Sequence, residues 1–348
     1  MEIHFPFSTG KTANQHPVFF PSDKEQIMRT LGKDKLLATL RRMLTIRNFE
    51  IRAESAYQHG LIGGFFHSYM GQEAIQTAVL DVIGPNNWFI TSYRCHALAL
   101  LLGAHPNELM SELYGRANGN AKGRGGSMHF YTERLLGGFG IVTGQLPIAT
   151  GAAFSIRYLG KDNEVAICFL GDGAVAQGSF HEALNLAALW DLPCIFVIEN
   201  NQWGMGTHVS RAISVPRLAE DKAASFGIKG YTFDGMDYFN CHAGFTHVHS
   251  EVLAHRKPVL IEVLTQRFRG HSISDPGLYR SKEDLKDSMQ RDPLLIFQNA
   301  LMEAQFIDQD TFKAMDKEEK ERIVLAMQHA EQSPWPDPIT LEEDVFAP

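Results

Sequence analysis

The sequence predicts an α/β protein with a mostly parallel sheet and helices on both faces. Two observations carry that expectation. Three short apolar runs, EVAICFL (164–170), PCIFVIE (193–199) and PVLIEVL (258–264), are continuous and not alternating, as strands buried on both faces are. Segments of helical period lie between them, and strands alternating with helices build parallel βαβ units. With 348 residues, 44% hydrophobic and 21% charged, the chain is long enough for one large core and reads as a single domain over 1–348.

In chain order, residues 1–23 hold three prolines and no period, so an N-terminal arm is expected over about 1–30. From Lys33 to Tyr57, Leu36, Leu37, Leu40, Met43, Leu44 and Phe49 follow helical spacing, and Gly60 supplies a stop. Further helices are expected at 72–83, 94–102 and 106–114, the last with Pro106 at its first position. The Gly-rich basic stretch GRANGNAKGRGGS (115–127) reads as a flexible loop. It lacks GK[ST] and follows no buried strand, so it is not a P-loop. Helices are also expected at 144–160, 178–190 and near 241–256. Beyond Asp275 the region 275–348 turns helical and charged, with Glu318 and Arg322 as an i,i+4 pair, and ends in an extended tail SPWPDPIT (333–340).

Charge and cysteine usage narrow the function. A net charge of −8 argues against nucleic acid or an anionic membrane as partner. No apolar run approaches the roughly 18 residues a membrane span needs. The first twenty residues contain no arginine and match neither a secretory signal nor an Arg-rich transit peptide, so cytoplasm is the expected location. Cys95, Cys168, Cys194 and Cys241 form no CxxC, and Cys168 and Cys194 sit inside apolar runs as small buried hydrophobes. His242, His247, His249 and His255 lack the carboxylates or cysteines that would complete a metal cluster.

The chemistry concentrates at 164–203. One buried strand ends in Gly171-Asp172-Gly173, and the next in Glu199-Asn200-Asn201, before Gln202-Trp203-Gly204. Ligands of open α/β sheets bind outside the carboxyl ends of the strands, so Asp172 and Asn201 are expected at one rim. A carboxylate and an amide oxygen suit Mg²⁺, which completes its shell with phosphate oxygens and water. Gly171 and Gly173 admit an anion close to the backbone, and a helix start at 174–180 would offer it N–H groups.

Asn201 follows Asp172 by 29 positions, and the strand–GDG–helix–strand–NN arrangement resembles the thiamine-diphosphate motif of transketolase-type enzymes. HSYMGQEA (67–74), TSYRCHAL (91–98), KGRGGSMHFY (122–131), GGFGIVTGQLPIATGAA (137–153), ENNQWGMGT (199–207) and RFRGHSISDPG (267–277) extend the likeness over about 30–330. Together they resemble the α subunits of thiamine-diphosphate-dependent 2-oxo acid dehydrogenases. GQEA and GHSISDPG bring the chain nearer the pyruvate type than the branched-chain type.

The resemblance implies a thiamine-diphosphate-binding fold and an α subunit that decarboxylates pyruvate and transfers the acetyl group to lipoyllysine of a dihydrolipoamide acetyltransferase. Asp172, Asn201 and the main-chain carbonyl of Trp203 match the Mg²⁺ ligands. Gly173, Ala174, Tyr93 and Arg94 match contacts to the diphosphate, for which an arginine fork is suited. Gly140 and Val142 match backbone contacts to the aminopyrimidine, and His67 and His271 match two active-site histidines, His271 also beside the cofactor. The glutamate that activates the aminopyrimidine has no match here and is expected from a β subunit in an α₂β₂ assembly. Acetoin or branched-chain 2-oxo acid dehydrogenase α subunits, and a non-catalytic subunit retaining the fold, remain alternatives.

The segment 266–282 is polar, carries Gly270, Pro276 and Gly277, and has no apolar period. It is therefore expected to be a mobile active-site loop. Arg267, Arg269, Arg280 and His271 would repel one another there until an anion binds. Ser272 matches a position phosphorylated in mitochondrial relatives.

Overall fold

Among the described residues eight strands follow one another: β1 (Trp88–Ser92), β2 (Leu135–Phe139), β3 (Ala166–Gly171), β4 (Cys194–Asn200), β5 (Trp203–Gly204), β6 (Thr207–His208), β7 (Lys229–Asp234) and β8 (Val259–Leu264). Six of them form one sheet in the order β2-β1-β3-β4-β8-β7, with every neighbouring pair parallel, while β5 and β6 make a small hairpin. The computed structural model describes residues 18–343 and Val345.

The continuous apolar runs are explained by what covers each face. Successive side chains of a strand point to opposite sides. Ile167, Phe169, Ile195, Val197, Ile261 and Val263 therefore join one core with the helices Lys24–Gln58, Glu73–Ile83, Tyr238–His255, Pro293–Glu303 and Gln309–Gln332. Cys168, Leu170, Phe196, Ile198 and Leu260 join a second core with the helices Gln145–Tyr158, Gly178–Leu189 and Leu218–Ala224. All four cysteines are buried and free, as small hydrophobes are. Among the described residues no helix is long and apolar enough to cross a membrane, and no group of three His, Cys, Asp or Glu side chains is placed to hold a metal.

Three strands of the six-stranded sheet, and the two-residue strands of the β5–β6 hairpin, went unrecognised in the sequence. β2 and β7 are edge strands, and an edge strand needs no continuous apolar run. LLGGF has two glycines, with Gly137 at φ 128°, and KGYTFD is half polar. WFITS, although inside the sheet, spans five residues.

The arm is shorter than expected. Asp23 accepts a hydrogen bond from Gln26 N at 2.9 Å and caps a helix that already begins at Lys24, so residues 24–30 are helical. Gly32, at φ 74° and ψ 169°, breaks that helix just before the periodic segment from Lys33. The part of the arm before Val18 lies outside the described residues. The helix expected at 178–190 spans Gly178–Leu189, and Asp172–Ala176, between it and β3, forms a 3₁₀ turn. Glu318 does not pair with Arg322. Arg41 takes Glu318, and Arg322 takes Glu319, which ties the first helix to the last long one. The tail is extended only to Asp337, then forms a 3₁₀ turn at Pro338–Glu342.

The loop 115–127 is organised around one carboxylate. Glu112, 1% exposed, accepts the backbone N–H groups of Ala121 (2.7 Å), Gly123 (2.8 Å), Gly125 (2.6 Å) and Gly126 (3.1 Å). A Cβ on Gly119 would stand 2.3 Å from Glu112 Oε2, so glycine is required for the wrap. The C-terminal tail lies over the same loop, with Arg116 stacked on Trp335 at 3.7 Å and Arg124 bonded to the Thr340 carbonyl. Glu112→Ala removes the acceptor of those four part-buried N–H groups, and a hydrogen bond is worth about 0.5–1.5 kcal/mol net. The variant should lose on the order of 3 kcal/mol of stability, read as a lower melting temperature, and be cut faster by trypsin at Lys122 or Arg124. Unchanged melting and cleavage would show that the loop holds itself.

Candidate functional site

The sheet register brings the loops of the site together. Gly171 pairs with Glu199, Glu199 with Val263, and Val263 with Phe233, so β3, β4, β8 and β7 end within one residue of a common line. The chain leaves β1 toward β2 on one side and β3 toward β4 on the other. The crevice between β1 and β3 is thus a topological switch point, where such sheets bind ligands. A cavity of about 630 Å³ opens there.

Each site residue expected from the sequence lines this cavity. Tyr93 and Arg94 follow β1, Gly140 and Val142 follow β2, and Asp172, Gly173 and Ala174 follow β3. Asn201 and Trp203 follow β4, His271 follows β8, and His67 comes from the segment before the helix Glu73–Ile83. Gly173 and Gly204 face each other so closely that a Cβ on either would lie 3.4 Å from the other's Cα.

Three rings form one side. His67 lies tilted 4.5 Å from Tyr93 and edge-to-face 5.1 Å from His271, and Tyr93 lies 5.5 Å from His271, measured between centroids. Burial, then the positive Arg94, lowers the His67 pKa to about 3. Burial, then Arg94 and Arg267, lowers that of His271 to about 4. Both imidazoles are therefore neutral near pH 7. Arg94 is itself buried and donates to the carbonyls of Ser68 and His271, each at 2.7 Å. It ties together the two histidine-bearing segments.

The Asp172 carboxyl is 2% exposed, and burial pushes its pKa up to about 6. Its Oδ2 has no hydrogen-bond partner in the chain, a donor set suited to a cation. Asn201 Oδ1 accepts Trp203 N at 3.3 Å, and its Nδ2 donates to Gln72 Oε1 at 3.4 Å. Behind them, Glu262 accepts Asn200 Nδ2 at 2.7 Å and Leu218 N at 2.7 Å, which fixes the turn after β4. The Trp203 carbonyl accepts Arg267 Nη1 at 2.9 Å. A carbonyl oxygen has two lone pairs, so one remains for a cation.

Arg267, Gln72 and Glu199 also line the cavity; the sequence placed Arg267 only among the cations of the loop 266–282 and gave Gln72 and Glu199 no site role. Glu199 precedes the asparagine pair directly, a position that could have marked it. Burial raises its pKa to about 7, and it accepts from Tyr69 Oη and from Gln76 Nε2 at 3.2 Å. Arg267 is 2% exposed and also binds the Met205 carbonyl at 2.8 Å and Tyr279 Oη at 2.5 Å, so it is no accessible cleavage site.

The segment 266–282 is more tightly held than its composition implied. Asp275 accepts His271 N (2.6 Å), Gly277 N (2.9 Å) and Tyr279 Oη (2.6 Å). Phe268 N donates to the Met70 carbonyl at 3.1 Å, and Ile273 N to the Phe66 carbonyl at 2.9 Å. Arg280 and Arg269 are engaged by the Arg267 carbonyl and by Glu54. Among the described residues, only Arg269 of these cations meets a carboxylate. Arg267 and Arg280 have donors engaged by carbonyl and hydroxyl oxygens but keep their mutual repulsion, which lowers the Arg280 pKa after burial. Ser272 is 5% exposed, with its Oγ 2.8 Å from Ser274 Oγ.

Comparison with known proteins gives the same direction. Residues 41–339 match the family model described as dehydrogenase E1 component. The chain is similar to the pyruvate dehydrogenase E1 component subunit alpha of Rickettsia felis, 42% identical over 90% of this chain and 96% of the relative. It is 40% identical to the protein of that name from Rhizobium meliloti, over 98% of this chain and 99% of the relative. With that from Porphyra purpurea it shares 37% identity over 91% and 94%. The family model and these relatives span nearly the whole chain, and the chain belongs to the dehydrogenase E1 component family.

Proposed function

We propose that the chain is the α subunit of a thiamine-diphosphate-dependent pyruvate dehydrogenase. With a β subunit it would decarboxylate pyruvate and pass the acetyl group to lipoyllysine of a dihydrolipoamide acetyltransferase. Members of the family depend on thiamine diphosphate, and α subunits act with β subunits. One observation carries the reading: the eleven residues that the resemblance singles out all line one cavity, at the carboxyl rim of a parallel sheet.

Thiamine diphosphate, when bound, supplies the nucleophilic carbon and the electron sink that loss of carbon dioxide from a 2-oxo acid requires. The chain's own residues hold and orient it. The Asp172 carboxylate, Asn201 and the Trp203 carbonyl would bind Mg²⁺. The Arg94 and Tyr93 side chains and the backbone at Gly173 and Ala174 would bind the diphosphate. Arg94 and Arg267 bond to carbonyl oxygens, so their positive charge is not cancelled where an anion would sit. Gly140 and Val142 would contact the aminopyrimidine. The neutral imidazoles of His67 and His271 each keep a buried Nδ1 without a hydrogen-bond partner, a nitrogen able to accept or return a proton.

In the assembled enzyme, Asp172→Ala should weaken Mg²⁺-dependent thiamine-diphosphate binding about 100-fold or more, the effect of losing about 3 kcal/mol from a charged ligand. Calorimetry reads it, and unchanged affinity would remove the assignment. The same measurement has a pH signature. Mg²⁺ competes with the Asp172 proton, and the carboxyl titrates at about 6, so affinity is retained above that pH. Below it, affinity falls by about tenfold per unit.

Pyruvate should give a higher kcat/KM than 2-oxoisovalerate or acetoin in dye reduction by the α/β assembly. Equal or better turnover of either competitor would shift the substrate. The α chain alone should show no decarboxylation, since the activating glutamate is expected from the β subunit; turnover without a β subunit would contradict that division.

A further inference from the structure

Beneath the segment that presents His67 runs a line of buried polar groups that touch neither the proposed cofactor residues nor solvent. Glu50 and His96 are fully buried, and Ser127 is 3% exposed. Glu50 Oε1 lies 3.0 Å from His96 Nδ1, and His96 Nε2 lies 2.9 Å from both the carbonyl oxygen and the Oγ of Ser127. A carbonyl only accepts, so Nε2 carries a hydrogen and donates. Ser127 Oγ in turn accepts the backbone N–H of His67 at 3.3 Å.

The line joins four separate pieces of chain: the helix Lys24–Gln58, the helix His96–Leu101, the 3₁₀ turn Gly126–Met128 and the segment before the helix Glu73–Ile83. Its surroundings are apolar. The His96 ring packs against Phe49, Phe66 and Phe130 with centroids 5.9, 5.2 and 5.1 Å away. Polar groups in such a shell are costly unless paired, and paired ones hold their geometry. Every polar atom of the line is engaged except Glu50 Oε2, which has no hydrogen-bond partner in the chain. The end of this line is the amide of His67. The flanking carbonyls are tied as well, that of Phe66 by Ile273 N at 2.9 Å and that of Ser68 by Arg94 at 2.7 Å. Three successive main-chain groups around His67 are thereby fixed from three directions.

We propose that Glu50, His96 and Ser127 are positioning residues for His67, fixing its main chain so that its ring stays against Tyr93 and His271. The proposal rests on the reading of His67 as a proton-transfer group at the cofactor cavity. Support one residue removed from a reacting group holds it within the small tolerance that proton transfer requires. Ser127 is the point at which the line meets the site, because the adjacent Met128 lines the cavity itself.

The test uses the assembled α/β enzyme with Ser127→Ala, Ser127→Thr and His67→Ala. Four quantities are read: kcat, KM for pyruvate, Kd for thiamine diphosphate, and amide hydrogen exchange over residues 65–69 without cofactor. Ser127→Ala should lower kcat about tenfold, with KM and Kd within about twofold of the parent, and should speed exchange at the His67 amide about tenfold. Ser127→Thr, which keeps the hydroxyl, should recover most of both. If Ser127→Ala retains full kcat and unchanged exchange while His67→Ala is impaired, the positioning role is overturned and the reading of His67 stands. A proportional fall in kcat, affinity and melting temperature that Thr does not recover would assign the line to structural support and overturn it too. If His67→Ala keeps full activity, the reading of His67 fails, and the positioning role with it.

Discussion

The structure depends on a parallel sheet buried on both faces, whose central strands end in register. Because β3, β4 and β8 end within one residue of a common line, at Gly171, Asn200 and Leu264, the chain must turn at nearly the same depth three times. Asp172, Asn201 and the segment toward His271 are delivered to one rim without any long-range adjustment of loops. The rim stays open because β1 and β3 continue toward opposite sides. Two separate cores hold the sheet between helix layers, so the rim is fixed as firmly as the sheet itself.

Electrostatics at that rim are arranged through main-chain carbonyls. Arg94 and Arg267 are both buried, yet their guanidinium groups bond to carbonyl oxygens of Ser68, His271, Trp203 and Met205. Carbonyl dipoles orient a guanidinium and satisfy its donors, but do not cancel its charge as a carboxylate would. The resulting positive field helps keep His67 and His271 neutral and is matched to an anionic ligand. The same contacts bind the His67 and His271 segments and the β5–β6 hairpin to one another.

Carboxylates do a different task one layer away. Glu112 gathers four backbone N–H groups of the glycine-rich loop, Glu262 holds Asn200 and the start of the helix Leu218–Ala224, and Glu50 anchors His96. Each is nearly or fully buried, and each organises main chain that leads into the cavity. A buried carboxylate accepts several hydrogen bonds at once, so a loop with little apolar content can be held by one side chain.

The sequence by itself determined the α/β class and the central strands, and its resemblance to a known family supplied the residues proposed for the candidate site. Continuous apolar runs report burial on both faces, and the Gly-Asp-Gly and Asn-Asn turns follow them directly, so local pattern and site coincide in the chain. Edge strands such as LLGGF and KGYTFD escaped it because they lack the double burial that writes a continuous run. What only the tertiary structure decided is the set of partners distant in sequence. Composition made 115–127 and 266–282 look unsupported, yet Glu112 wraps the first, and Asp275, Met70 and Phe66 bind the second. Glu318 and Arg322 are spaced for an i,i+4 pair, but the first helix brings Arg41 to the acidic residue instead. Hydrogen bonds and ion pairs between residues far apart in the chain leave no periodic trace, because they are satisfied by whichever groups folding brings within about 3 Å.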